Sequence, residues 1–134
     1  MTTDKVGDFI IRLQNASMIG RKTASLPYST HLESIARKLK TLGFVAEVAV
    51  DTKDEKGIKK NLVVTLAYDA RGKSKIHGVK RISKPGRRLY IHATEAHSVE
   101  GGTGARIIST PSGILSDRDA RAAHVGGEHM FEIW

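Results

Sequence analysis

The sequence predicts an α+β fold of two small packed domains: an N-terminal α/β layer with two helices on a three-stranded sheet, and a C-terminal, mostly antiparallel β domain with a short helix. Three observations predict it. Two stretches in the first half carry apolar residues at helical spacing, β-branched runs follow them, and the composition changes at Asp69 to short strands punctuated by turn residues. That change places the expected boundary between residues 1–69 and residues 70–134. Of the 134 residues 40% are hydrophobic, enough for a core. Each half nevertheless falls below the roughly 80 residues at which a single core suffices alone, so the halves are expected to pack together. With only 1 Trp, 3 Tyr and 3 Phe, Val, Ile, Leu and Ala must supply most of that core.

The first helix is expected from about Thr3 to Ser17, where Val6, Phe9, Ile10, Leu13 and Ala16 recur at the spacing of one helical face. Thr3 or Asp4 can cap its free N–H groups. After the Gly20-Arg21-Lys22 turn a short strand runs from Thr23 to Leu26 and stops at Pro27. A second helix starts at Ser29 or Thr30, with Thr30 and Glu33 spaced as a capping box. Leu32, Ile35, Ala36, Leu39 and Leu42 form its buried stripe, and Gly43 ends it. Strands are expected at Phe44–Val50 and Asn61–Tyr68, with Asp51–Lys60 as a charged hairpin loop.

In the second half, strands are expected at Val79–Ser83, Arg88–Ile91, Ala105–Ser109 and Glu128–Trp134. Lys84-Pro85-Gly86-Arg87 has Pro and Gly where a type II turn wants them. A tight loop passes through Pro111 and Gly113. A short helix starts at Ser116, with Asp117 and Asp119 in its first turn. No internal repeat and no low-complexity tail is present.

Charge narrows the function. The 22 Lys and Arg residues against 14 Asp and Glu leave a net charge of +8 and a pI near 9.9. That balance favours a polyanionic partner, either a nucleic acid or an acidic membrane surface. Arg71, Lys73, Lys75, Lys80, Arg81, Lys84, Arg87 and Arg88 fall in one run, and no acidic residue occurs between Asp69 and Glu95. Lys and Arg beside phosphates release counterions, which gives affinity without sequence information. A basic run interleaved with strands suits a rigid binding surface better than a flexible tail would. A solvated charged face is the plainer alternative.

The Ser109-Thr110-Pro111-Ser112-Gly113 loop gathers hydroxyls on a tight turn, which can approach 2′-OH groups and base edges. These are also ordinary turn residues, and pattern alone leaves both readings open. Catalysis finds no support. There is no cysteine, which excludes thiolate zinc sites, disulfides and cysteine nucleophiles. The six histidines lack metal-ligand spacing and are expected at the surface or facing RNA. Gly101-Gly102-Thr103-Gly104 lacks the G-K-[ST] ending of a phosphate loop. Ser112 sits in T-P-S-G, unlike a nucleophile elbow, and no carboxylates pair. No catalytic residue, metal ligand or cofactor is therefore expected. No apolar run approaches the roughly 20 residues of a membrane span, and the polar N-terminus lacks the core of a secretory signal. A cytoplasmic protein without a membrane partner is expected.

The C-terminal third resembles a known family. Ile107-Ile108-Ser109-Thr110-Pro111-Ser112-Gly113-Ile114-Leu115-Ser116-Asp117-Arg118-Asp119-Ala120-Arg121, followed by Gly126-Gly127-Glu128, is similar to the bacterial type of small-ribosomal-subunit protein eight. That family carries an S-T-S-[KR]-G loop, then [TS]-D-R-x-A-R, then G-G-E and a closing strand. Upstream, Arg81-Ile82-Ser83-Lys84-Pro85-Gly86-Arg87-Arg88-Leu89-Tyr90 looks like its R-[IV]-S-[KR]-P-G-x-R-x-Y segment. Asp8 through Asn15-Ala16, Leu26-Pro27-Tyr28-Ser29 and Leu42-Gly43-Phe44 follow in the expected order, so the likeness spans essentially the whole chain.

The resemblance implies a non-enzymatic ribosomal protein that binds the central domain of small-subunit ribosomal RNA and supports its folding and subunit assembly. Neighbouring small-subunit ribosomal proteins are implied as partners. Some members of the family also bind a messenger RNA that imitates the stem and repress their own operon. By position, Ser109, Thr110, Ser112 and Gly113 fall in the RNA-contacting loop, Lys84, Arg87 and Arg88 would meet the RNA backbone, and Asn15 and Ser29 would add contacts. Glu128 and the closing strand would support the loop. Two departures stand out. Pro111 and Ser112 replace Ser and a basic residue, and Thr30 and Leu32 replace the basic residues usual after Ser29.

Overall fold

The computed structural model describes residues 4–52, 60–97, 99 and 103–134. The chain forms two compact units, Asp8–Ile76 and His77–Trp134, the latter joined by residues 4–7. Three α-helices and two antiparallel sheets give the α+β architecture expected from the sequence.

The unit Asp8–Ile76 places two helices on a three-stranded sheet. Helix α1 (Lys5–Met18) buries Phe9, Ile10, Leu13 and Ala16, the stripe that the sequence spacing marks. The Asp4 carboxylate accepts from the Gly7 amide at 3.0 Å, so Asp4 caps one of the four unpaired N–H groups at the helix start. Strand β1 (Thr23–Pro27) follows, then α2 (Thr30–Leu42), β2 (Val45–Thr52) and β3 (Lys60–Leu66). The order is β1-β3-β2. Pro27 lies within β1 instead of stopping it, opposite Asn61. An edge strand tolerates the missing N–H.

Helix α2 ends as its sequence suggests. Gly43 takes φ 90°, and the Phe44 amide donates to the Leu39 carbonyl at 3.0 Å, a left-handed cap that suits glycine. Its start differs from expectation. Ser29 is the N-cap but makes no side-chain capping bond, and the Thr30–Glu33 capping box does not form. Glu33 instead accepts from the Tyr28 hydroxyl at 2.8 Å and from Arg37 Nη2 at 2.6 Å. Ionised and phenolic donors outcompete a backbone amide for that carboxylate. Leu62, Val64 and Leu66 point inward from β3, opposite Leu26 and Ala24 of β1, with Val48 of β2 completing the layer. Of the expected hairpin loop Asp51–Lys60, residues 53–59 lie outside the described residues.

The unit His77–Trp134 is built around its last strand. Strands β4 (Val79–Arg81), β5 (Tyr90–Ile91), β6 (Ala105–Thr110), β7 (Gly113–Ser116) and β8 (Gly127–Ile133) form one sheet. β8 pairs with β6 along one edge and with β4 and then β5 along the other. A bulge in the β6–β8 ladder sets Ile107 opposite Phe131 and Ile108 opposite His129. Met130 is thereby the extra residue, which explains how adjacent positions of both strands are buried together. Ala96, Ile108 and Ala120 cluster there, with Ile91 packed against them.

Two elements were not expected: β7, hidden by the turn residues before it, and a 3₁₀ turn at Ala93–Glu95. Helix α3 (Asp117–Ala123) carries the full capping box, Ser116 Oγ accepting from the Asp119 amide while Asp119 accepts from the Ser116 amide. Histidine is not uniformly superficial either. His129 is buried, and its Nε2 makes no hydrogen bond among the described residues. Burial, then the charge of Arg106, hold its pKa below the ordinary histidine value, so it packs as a neutral ring.

Leu62 is fully buried at the centre of the first sheet. Leu62→Ala is expected to lower the unfolding free energy by about 2–5 kcal/mol, measured by urea denaturation. A loss under 1 kcal/mol would show that the site is loosely packed.

Candidate nucleic-acid interface

Segment Ser83–Arg88 makes a reversal in which Lys84 and Arg87 exchange both backbone hydrogen bonds, at 3.0 and 2.9 Å. Gly86 does not take a positive φ, so the turn is not the type II turn expected. Pro85 permits either turn type, and Gly86 here keeps a φ outside the left-handed region. The side chains of Lys84 and Arg87 project exposed and make no ion pair among the described residues.

Behind this turn lies a polar knot centred on a buried serine. Ser83 is fully buried. Its Oγ donates to Glu128 Oε2 and accepts from the Leu89 amide at 3.2 Å. Arg88 Nη1 donates to the same Glu128 oxygen at 2.8 Å. Arg81 donates to the Ser83 carbonyl and pairs with Asp4 at 3.0 Å. Burial acts to raise the Glu128 carboxyl. The hydrogen bonds from Ser83 and Arg88 and the charges of Arg88 and Arg81 together outweigh it, so the group sits below the ordinary carboxylate range. The Glu128 hydrogen bond and charge raise the Arg88 guanidinium correspondingly.

β8 carries Glu128 directly opposite Ser109 on one side and Tyr90 on the other. The knot therefore joins the basic turn to the β6–β7 hairpin. That hairpin reverses through Pro111 and Ser112, with Thr110 paired to Gly113. Thr110 Oγ1 donates to the Gly113 carbonyl at 2.8 Å and accepts from the Ser112 amide at 3.1 Å. Gly113 takes φ 116°, a conformation that L side chains rarely adopt. Pro111, Ser112 and Gly113 are exposed; Ser109 and Thr110 are half-buried. Gly126 and Gly127 permit the close approach beneath. A Cβ on Gly127 would collide with the Ser109 carbonyl oxygen, and one on Gly126 with that of Ile91.

Ser109, Thr110, Ser112, Gly113, Lys84, Arg87 and Arg88 thus share one unit and one sheet system. Asn15 and Ser29 belong to the other unit. Asn15 is exposed and lines a cleft of about 490 Å³ with Arg12, Arg21, Thr23 and Ser25. Ser29 is half-buried at the start of α2. The basic run divides as well, Arg71, Lys73 and Lys75 lying in the first unit. Sequence reasoning missed the burial of Ser83, and it named Asp4 as a helix cap without its pairing to Arg81. Val79–Ser83 shows no apolar–polar alternation that would mark a buried serine. Among the described residues no cluster of three or more His, Asp or Glu could hold a metal. No helix there is long and apolar enough to cross a membrane.

The family profile for Ribosomal protein S8 matches residues 4–134. The chain belongs to the ribosomal protein S8 family. It is similar to the small ribosomal subunit protein uS8 of Brevibacillus brevis, 42% identical over 132 residues that cover 98% of each chain. The same protein of a Cyanothece strain is 43% identical over 136 residues, covering 99% of this chain and 98% of the relative. That of Mycoplasmopsis synoviae is 39% identical over 132 residues, 98% of each. Membership makes this a ribosomal, structural and non-enzymatic protein of translation, located in the cytoplasmic ribosome.

Because the folded Glu128 carboxyl lies below its ordinary 4.5, its contribution to stability is complete above that pH and is lost as pH falls through the folded-state value. The stability difference between the wild type and Glu128→Gln should therefore be constant near neutrality and vanish in acid. Denaturation midpoints measured from pH 7 to pH 2 check this. A difference independent of pH would mean that the ionised form is not what the knot holds.

Proposed function

We propose that this protein is a structural constituent of the small ribosomal subunit that binds the central domain of small-subunit ribosomal RNA directly and supports its folding and subunit assembly. The observation that carries the proposal is the joining of two chemically different surfaces by one strand. Lys84, Arg87 and Arg88 offer positive charge to a phosphate backbone, and the tip Ser109–Gly113 offers hydroxyls and a flat turn to a folded strand. Asn15 and Ser29 would add contacts from the other unit. Neighbouring small-subunit proteins would complete the assembly. A messenger RNA that imitates the ribosomal stem would meet the same face, which gives a route to translational autoregulation.

Chemical footprinting on intact small-subunit ribosomal RNA tests the proposal. Protection confined to a stem of the central domain is expected, and diffuse protection across the RNA would overturn it. The two surfaces also predict different salt behaviour. Arg87 makes no ion pair among the described residues, so Arg87→Ala should reduce the slope of log affinity against log salt by about one unit, equally for cognate and unrelated RNA. Filter binding over a range of salt concentrations measures it. An unchanged slope would remove Arg87 from the interface.

A further inference from the structure

The bulge in the β6–β8 ladder gathers a second polar group, distinct from the knot around Glu128. Positions three apart on a regular strand point to opposite faces. The extra residue Met130 shifts that phase by one, so His129 and Glu132 fall on the same face of β8. Opposite them on β6 stand Ile108 and Arg106. Helix α3 covers this face, its Ala120 clustered with Ile108 and Ala96.

Two groups lie near one oxygen here. Glu132 Oε1 is 3.1 Å from Arg106 Nη1 and 3.9 Å from His129 Nε2. The first contact is an ion pair; the second is too long for a hydrogen bond. His129 Nε2 is buried without a hydrogen-bond partner among the described residues. Arg106 is fastened further: its Nε donates to the His97 carbonyl at 2.7 Å and its amide to Asp117 Oδ1 at 3.1 Å. Arg121 pairs with Asp117 at 3.1 Å and donates to the Ala96 carbonyl. Arg106 of β6, Glu132 of β8 and Asp117 of α3 all act on the ring. With Arg121 counted, two cations match two carboxylates while His129 is neutral. A proton on the ring leaves one positive charge in surplus where only 4% of the side chain is exposed, and a buried charge without a partner is costly.

We propose that His129, Glu132 and Arg106 form a proton-operated latch between β6 and β8. When the ring takes a second proton from solvent, the new cation draws Glu132 Oε1 out of its pair with Arg106. A closure of about 1 Å brings Nε2 within hydrogen-bond distance of that oxygen. Arg106, repelled by the ring and deprived of its carboxylate, loosens its hold on the His97 carbonyl. Arg121 still holds Asp117 and the Ala96 carbonyl, so the change is confined to Arg106 and the end of the segment Ala93–His97. The latch does not depend on RNA binding. Burial, then the charge of Arg106, hold the His129 pKa below its ordinary 6.5, against the pull of Glu132 and Asp117. As pH falls the unfolded chain therefore takes up the proton first. The stability owed to the neutral ring is full above 6.5 and is lost as pH falls towards the folded-state value. That loss begins at a higher pH than the loss from Glu128, whose ordinary value is 4.5.

NMR titration of the full chain from pH 8 to pH 4, reading the His129 ring and the Arg106 Nε–H separately, tests the latch. Both resonances are expected to move with one shared midpoint below 6.5. In Glu132→Gln the His129 midpoint should fall further, because the carboxylate that favours the proton is gone. In His129→Leu the Arg106 resonance should show no such midpoint. Denaturation midpoints give a second reading: the wild type should lose stability relative to His129→Leu as pH falls from 7 to 5. A ring that only fills space would shift the two curves by a constant amount. His129→Gln, which also lacks a titrating ring, gives the same readings should the leucine variant fail to fold. An Arg106 resonance indifferent to the His129 midpoint would overturn the latch. So would an Arg106 midpoint that persists without His129, or a stability difference independent of pH.

Discussion

The C-terminal unit depends on strand β8 being paired along both edges. It holds β6 on one side and β4 with β5 on the other. Every group argued to face RNA in that unit hangs from one of these strands or from the turns between them. A strand at the centre of a sheet has its backbone groups satisfied and its register fixed, because a slip of one residue would send its apolar residues to the wrong face. Phe131 and Ile133 are fully buried, which makes such a slip costly. Gly126 and Gly127 are small for the same reason, since any side chain there would force apart strands whose pairing locates Glu128 and Ser109.

A basic protein must keep its own cations apart from one another while leaving some free for a partner. Here the carboxylates do the sorting. Asp4 takes Arg81, and Glu128 takes Arg88, while Lys84 and Arg87 stay exposed. The Arg88 pair is half-exposed and adds little to stability by itself. Its consequence is geometric, since the guanidinium and the Ser83 hydroxyl converge on one carboxylate, carried by the residue whose backbone pairs opposite Ser109. Bulk charge alone would predict nothing of this arrangement.

Much of the fold was legible in the sequence. The buried stripes of α1 and α2 follow from residue spacing, and Gly43 and Ser116 mark helix ends by chemistry that is local. What stayed hidden was set by competition or by distant partners. Glu33 had a nearby tyrosine and arginine, and nothing in the T-x-x-E spacing says that they win. Gly86 could serve either turn type. His129 looked superficial because the bulge that buries it arises from pairing between strands about twenty residues apart. The candidate contacts were legible through motif likeness and charge. The bracing of the tip by Thr110 was not, because Thr110 and Ser112 are both hydroxyl residues of a turn until their hydrogen bonds are known.

The central claim is that the RNA-facing surface is already formed in the free protein. Hydrogen exchange followed at individual amides, with and without a central-domain ribosomal RNA stem, addresses it most directly. The account predicts that amides paired in β6, β7 and β8 are protected to the same degree in both states, with changes limited to the exposed tip. Amides of the β6–β7 hairpin that exchange freely until RNA is added would contradict it, for the surface would then be made by the RNA.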